Sequence, residues 1–317
     1  MHYPEKTNPV LTIARTDYNP VLVEINRDAI ALLPPSGDLK AMGPTLPQDS
    51  ICLGLEGIPY FIAMNSLNFQ FWDVTEKDEF VRYRHEGEEG ALAMRTVFQT
   101  CWELAAMRAH EAGRADSDVP FFTRELIDLF GREGLSGRFG EIPAIGKRAR
   151  ILMEVLGDGK LLLNVANTLH EALVTRQQLT WVHAKLLAHS FPVAYGDDYL
   201  KKAQLTLMFI AGQWNAYNPG RPCKLDVTAA ADYQLPKILR AMGILRYSDW
   251  LAASVDQTQL IEAESIAERA IRAGTVLACE ELAEHLNCSL PEVDFWLWVN
   301  RNQARDAKFH LTRTTAY

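Results

Sequence analysis

Apolar residues recur at helical spacing along most of this chain. The spacing predicts a helix over 91–112 and another through PFFTRELIDLFGREG, with Thr123 as its N-cap and Gly131 near its stop. Glu141-Ile142-Pro143 reads as an extended join before a helix over 144–156. Residues 160–190 carry a longer helical pattern, one helix or two. Leu200, Ala203, Leu207 and Ala211 then line one face, which Leu205, Met208 and Phe209 widen. A shorter helix presents Leu235, Ile238, Leu239 and Met242, with Pro236 in its first turn and Gly243 just past its end. Residues 259–286 are strongly helical, and SLPEVDFWLWVNRNQAR follows with Ser289 as cap and Pro291 in the first turn.

The remaining stretches break that period. Residues 1–50 are proline-rich and weakly patterned, with short elements between turns at Asn19-Pro20, Pro34-Pro35 and Pro44. ICLGLEGIPYFIAMNSLNFQFW is densely apolar, and its second half suits a buried helix or a strand equally. Residues 73–90 are charged and exposed in this reading, and the closing KFHLTRTTAY forms a short strand or an extended arm. The expectation is a mainly α single compact helical domain over 1–317, irregular in 1–50, with at most a few short strands.

Composition narrows the partners more than the fold. A net charge of −8 argues against a duplex nucleic-acid partner, since phosphate contacts need basic surface. No apolar run approaches a membrane span and the N-terminus is unlike a secretory signal, so a cytoplasmic setting is expected. Five scattered cysteines form no CxxC pair, which suits reduced thiols. His170, His183 and His189 share a helical stretch, yet no two lie three or four apart, so no metal pair is expected.

Two helix starts carry acids, Asp197-Asp198 and Asp232-Tyr233. Acids in such places commonly cap a helix, and with capping alone Lys201 and Lys202 would be a solvated stripe. If the fold brings these acidic turns together, they offer paired carboxylates with aromatic walls. That is equipment for cleaving a glycosidic bond, where an anion offsets the positive charge developing on a sugar carbon. On these residues alone, a helical binding protein is an equal reading.

The blocks NSLNFQFW (65–72), EIPAIGKRARIL (141–152), DDYLKKAQL (197–205), ADYQLPKILRAMGILRYSDWL (231–251), IEAESIAERAI (261–271), VDFWLW (293–298) and FHLTRTTAY (309–317) go further. With them the chain resembles the queuosine salvage proteins, the queuosine 5′-phosphate N-glycosylase family. The resemblance implies a mainly helical, DNA-glycosylase-like architecture. It implies hydrolysis of queuosine 5′-phosphate, or of queuosine, to release queuine for salvage into tRNA, with no metal or organic cofactor. It places the catalytic aspartate at Asp197, with Asp198 as the alternative register. Asp232 and Tyr233 match the base-recognising pair, and Asn68, Phe69, Phe71 and Trp72 match a block expected to wall the pocket. Tyr195 is the nearest aromatic ahead of the aspartates, and Lys201, Lys202 and Arg313 are candidates for the 5′-phosphate.

The chain departs from the family in three places, one of them at Tyr195, which Gly196 separates from the aspartates. DLKAMGPTLP stands where the family carries a tryptophan and a histidine, and Gln234 replaces an arginine. A binding protein that holds queuine or another 7-deazaguanine without cleaving it is therefore an alternative. A third reading, a protein that contacts tRNA itself, conflicts with the acidic charge.

Overall fold

A computed structural model describes residues 8–34, 57–75, 79–113, 119–135 and 142–317. Expectations for 35–50, for the start of the apolar run including Cys52, for the DLKAMGPTLP stretch and for Glu141 lie outside the described residues. The fold is mainly α: fourteen α-helices and eight strands of two or three residues occur among the described residues. No described helix is long and apolar enough to cross a membrane.

The chain begins with α1 (Pro9–Asp17), β1 (Val23–Ile25) and α2 (Arg27–Ala31). The apolar run resolves as a helix, α3 (Gly57–Ser66), buried at every position. It leaves helical geometry at NFQFW, where Gln70 adopts a φ of 38°. The charged stretch forms two antiparallel pairs, β2 (Trp72–Val74) with β3 (Phe80–Arg82) and β4 (Arg84–His85) with β5 (Glu88–Glu89). Next come α4 (Ala91–Glu111), α5 (Val119–Leu135) and α6 (Ile145–Gly157). Thr123 is not the cap of α5, which begins at Val119 with Pro120 in its first turn. Instead Thr123 Oγ1 donates to the Leu156 carbonyl at 3.2 Å. Gly131 does not end that helix either, because one interior glycine costs only about 1 kcal/mol.

The long pattern at 160–190 divides. α7 (Gly159–Glu171) relaxes into a π turn (Ala172–Arg176), Gln177 takes a φ of 50°, and β6 (Gln178–Thr180) leads into α8 (Trp181–Ser190). His183 Nδ1 accepts the Thr180 N–H at 3.0 Å, which helps the restart. After α9 (Pro192–Tyr195) come α10 (Lys201–Tyr217), β7 (Lys224–Asp226), α11 (Gln234–Ala241), β8 (Leu245–Tyr247) and α12 (Asp249–Asp256). β7 runs parallel to β6, and β8 antiparallel to β1. Gly243 ends α11 at a φ of 73°, the left-handed position its place in the sequence predicts. α13 (Ile266–Leu286) starts later than the pattern suggests, at the cap Ser265, because Leu260 is bridged to Leu311 in an extended segment. That bridge is the strand-like part of the C-terminal arm. α14 (Leu290–Val299) carries a capping box between Ser289 and Glu292 and ends in a 3-10 turn (Asn300–Ala304).

These elements separate into two compact units. The first takes Met1–Leu53, Glu171–Leu186 and Asp197–Arg313; the second takes Gly54–His170, Leu187–Gly196 and Thr314–Tyr317. In the first unit α13 packs against α1, α11, α14 and β1, around Val23, Leu239, Leu245, Ile271, Leu282 and Leu297. Gly274 permits that approach, since a Cβ there would lie 2.7 Å from Val23 Cγ1. In the second unit α5 packs on α4 and α6, and α6 packs on α3 and α9. Phe61, Phe98, Phe130 and Leu152 fill its interior.

Candidate active site

α10 begins after a tight turn, with Leu200 left-handed at a φ of 51°. That turn points Asp197 inward. Its carboxylate is 4% exposed and meets Arg272 of α13 in a two-pronged pair, Nη1 to Oδ1 at 2.7 Å and Nη2 to Oδ2 at 2.6 Å. The Lys201 N–H donates to Oδ2 at 3.0 Å, so the capping reading is correct as far as it goes. Burial pushes this carboxyl upward. The Arg272 charge and hydrogen bonds, with the Lys201 and Tyr199 amides, outweigh burial and hold it below the usual carboxylate range. Arg272 is 1% exposed, with Glu268 Oε1 3.8 Å away and the Tyr199 ring 4.4 Å from its guanidinium carbon.

The second acidic turn lies in the same unit. Asp232 Oδ1 accepts the Gln234 N–H at 2.7 Å and the Leu235 N–H at 3.3 Å, capping α11. Its other oxygen, Oδ2, faces Lys201 Nζ at 3.8 Å. Lys201 therefore touches both turns, through its amide at Asp197 and its ammonium at Asp232. Arg272 does the same, because its Nε donates to the Ala231 carbonyl at 3.3 Å. Neither Lys201 nor Lys202 forms a solvated stripe; both are buried, since α10 is enclosed on nearly all sides. Burial lowers the Lys201 pKa, against the opposing pull of Asp232, Asp294 and Asp197. Asp294 of α14 accepts the Ala230 N–H at 2.7 Å, and burial with the nearby Asp232 charge pushes it up to about 7. His310 is buried too, and burial together with Arg272 depresses it to about 3, so its imidazole is neutral. The Tyr233 ring packs on Phe309 at 4.7 Å.

Asp198 is placed differently. It is 58% exposed and pairs with Arg269 Nη1 at 3.1 Å. Arg269 also binds Asp17, whose Oδ2 accepts the Tyr199 hydroxyl at 2.8 Å. Arg313 is exposed at the C-terminal edge of this unit.

Asn68, Phe69, Phe71, Trp72 and Tyr195 belong to the second unit, all buried. Arg148 organises this turn. Its guanidinium donates to the carbonyls of Leu67, Phe69 (2.5 Å), Gln70 (3.0 Å) and Pro143 (2.9 Å), and lies 4.1 Å from the Phe69 ring centre. The Gln70 N–H donates to the Tyr317 carbonyl at 2.9 Å. Three of the sequence blocks thus meet on one backbone turn. The Tyr195 hydroxyl donates to the Ile62 carbonyl.

Sequence reasoning missed Arg272, Asp294 and Arg148. Arg272 passes for one more arginine on a polar face. The available signal was its company, since Ala270, Ile271, Ala273 and Gly274 give it no polar neighbour beside it in the chain. Among the described residues no three His, Cys, Asp or Glu side chains gather as a metal would require.

A helical protein that buries an ionised carboxylate beside a second acid and a lysine is equipped to stabilise positive charge on a substrate held there. The queuosine salvage protein family matches residues 55–317, and the chain belongs to that family. It is 29% identical over 281 residues to a protein of Sphaerobacter thermophilus named queuosine 5′-phosphate N-glycosylase/hydrolase, covering 81% of this chain and 80% of that one. Proteins of the same name from Nematostella vectensis and Mus musculus are 27% and 26% identical, over 82% and 81% of this chain and the same shares of their own.

Proposed function

We propose that this chain hydrolyses the N-glycosidic bond of queuosine 5′-phosphate, or of queuosine, and releases queuine for salvage into tRNA. The observation that carries this reading is the Asp197 carboxylate, buried, ionised, and tied through Lys201 and Arg272 to the turn that bears Asp232. As the C1′–N bond breaks, positive charge grows on the sugar, and a fixed anion close to C1′ lowers that barrier. A 7-deazaguanine lacks the ring nitrogen at which purine leaving groups are protonated, so sugar-side stabilisation must supply more of the rate. Water then adds at C1′, and its proton leaves with the base.

Asp197 acts in this reading as electrostatic stabiliser. A carboxyl held below its ordinary range stays anionic but is a weaker nucleophile, and Arg272 already occupies both oxygens. The exposed Asp198, paired with Arg269, suits the role less well. Asp232 takes adjacent N–H donors of a guanine-like edge at Oδ2, the oxygen it shares with Lys201, and Tyr233, backed by Phe309, offers a flat face. Arg313, which is exposed, remains the candidate for the 5′-phosphate, and Lys201 is buried against Asp232. Free Cys101, Cys223, Cys279 and Cys288 support a reducing, cytoplasmic setting.

Incubation with queuosine 5′-phosphate, followed by chromatography for free queuine, tests the reading. Asp197→Asn is expected to lower the rate about a hundredfold or more, the scale of losing one charge-stabilising group, whereas Asp198→Asn stays within a few-fold. Queuosine 5′-phosphate bound but never cleaved to free queuine would make the protein a binder instead. Full turnover in Asp197→Asn would move the chemistry elsewhere.

A further inference from the structure

The VDFWLW block has no part in the reaction as described so far, yet it puts a carboxylate in the interior. We propose that Asp294 is a positioning residue for base recognition: it fixes the 229–232 turn and shares Lys201 with Asp232, so that its ionisation decides how fully Asp232 is available to the base. This rests on the reading of Asp232 as the base-binding acid.

The geometry ties Asp294 to the turn, and the charges of Asp294 and Asp232 both act on Lys201. Asp294 Oδ2 takes the Ala230 N–H at 2.7 Å, two residues ahead of Asp232, and the next carbonyl, of Ala231, is held by Arg272 Nε at 3.3 Å. The turn is therefore clamped from α14 on one peptide and from α13 on the next. Asp232 Oδ2 and Lys201 Nζ lie 3.8 Å apart, and Lys201 is 2% exposed, so solvent screens this pair little. The charges acting on the lysine come from Asp232 ahead of α11, Asp294 on α14, Asp197 ahead of α10 and Arg272 on α13. Those facing Asp294 are Lys201 and Asp232, with the buried thiol of Cys279 on α13 also within its influence.

Two states follow. With Asp294 protonated, Asp232 is the charged one of the two acids, and its Oδ2 is drawn to the Lys201 ammonium. With Asp294 ionised, the ammonium is shared between two carboxylates and Oδ2 is freed for the N–H donors of the base. The switch falls where Asp294 titrates, at about 7. Base binding then favours the ionised form and releases a proton near that pH. Asp197, held by Arg272, keeps its charge in both states.

The test is the pH dependence of KM and kcat for base release, followed between about pH 6 and about pH 8 in wild type and in Asp294→Asn. Asparagine can still accept the Ala230 N–H but cannot ionise. Wild type is expected to show KM falling as pH rises through about 7. The variant is expected to lose that inflection and keep a KM roughly tenfold above wild type on the alkaline side, the size of one pKa unit, with a smaller change in kcat. An Asp294→Asn profile parallel to wild type, or equal losses in KM and kcat at every pH, would overturn the proposal. Should that variant not fold, calorimetry of queuine binding to wild type in buffers of different ionisation heat reads the released proton directly. Binding with no proton released near pH 7 would be equally fatal. A wild type that neither binds nor releases queuine would instead sink the functional reading, so the two failures are distinct.

Discussion

Arg272 takes a full charge into the interior and uses its donors there, on Asp197 and on the Ala231 carbonyl, with its flat face against the Tyr199 ring. Removing one member of such a pair leaves the other uncompensated. Arg272→Met is therefore expected to destabilise the protein by about 3–5 kcal/mol, read from denaturant midpoints; a variant as stable as wild type would show that Asp197 does not need this partner. Arg272→Lys should recover little, because an ammonium lacks the planar fork that meets both carboxylate oxygens. The pH sign follows from Asp197, whose folded pKa lies below its ordinary 3.8. Its stabilisation is present above that value and is lost as pH falls through the lower folded value. Without Arg272 that contribution goes, and acid unfolding should begin at higher pH. At this scale the sequence was half legible. Asp197 and Asp232 stand out because an acid before a helix is a recognisable local signal. Arg272 and Asp294 sit inside amphipathic patterns, and the packing of α13 and α14 turns both inward.

Among the elements, the short segment α9 and the glycine after it deliver Asp197 to its turn. A Cβ on Gly196 would lie 2.3 Å from the Pro192 carbonyl oxygen, and that oxygen already accepts the Gly196 N–H at 2.9 Å. Gly196→Ala must shift this backbone, and the displaced neighbour is Asp197. The expected result is a loss of about 1–3 kcal/mol in stability and a fall in base-release rate of up to about a hundredfold, as for a group misplaced by an ångström. Wild-type rates in Gly196→Ala would show that the turn adjusts without moving the carboxylate. Periodicity located nearly all the long helices, because their apolar faces are built from residues close in sequence. It failed at boundaries set by distant partners. Thr123 looks like a cap but is held to Leu156, and residues 259–265 look helical but stay outside α13, with Leu260 bridged to Leu311. The division of 160–190 hangs on Gln177 in the left-handed region, which no apolar spacing encodes.

For the molecule as a whole, a ligand that binds only the folded state adds stability by mass action. Queuine at about a hundred times its dissociation constant is expected to raise the unfolding free energy by about 2.7 kcal/mol. Guanosine 5′-phosphate at the same concentration, with its different base, should raise it less. Equal shifts from both would show that the base is not what the site reads. The net charge of −8, an argument against duplex partners at the level of sequence, says nothing about this choice, which in the proposed reading turns on Asp232 and its surroundings. Those surroundings are shared property. Lys201 and Arg272 each reach both acidic turns, so a substitution near Asp232 made to admit another base will also be felt at Asp197. Anyone re-engineering base preference should thus expect epistasis. Gains in affinity will arrive coupled to changes in rate, and pairs of variants will have to be screened together rather than summed from singles.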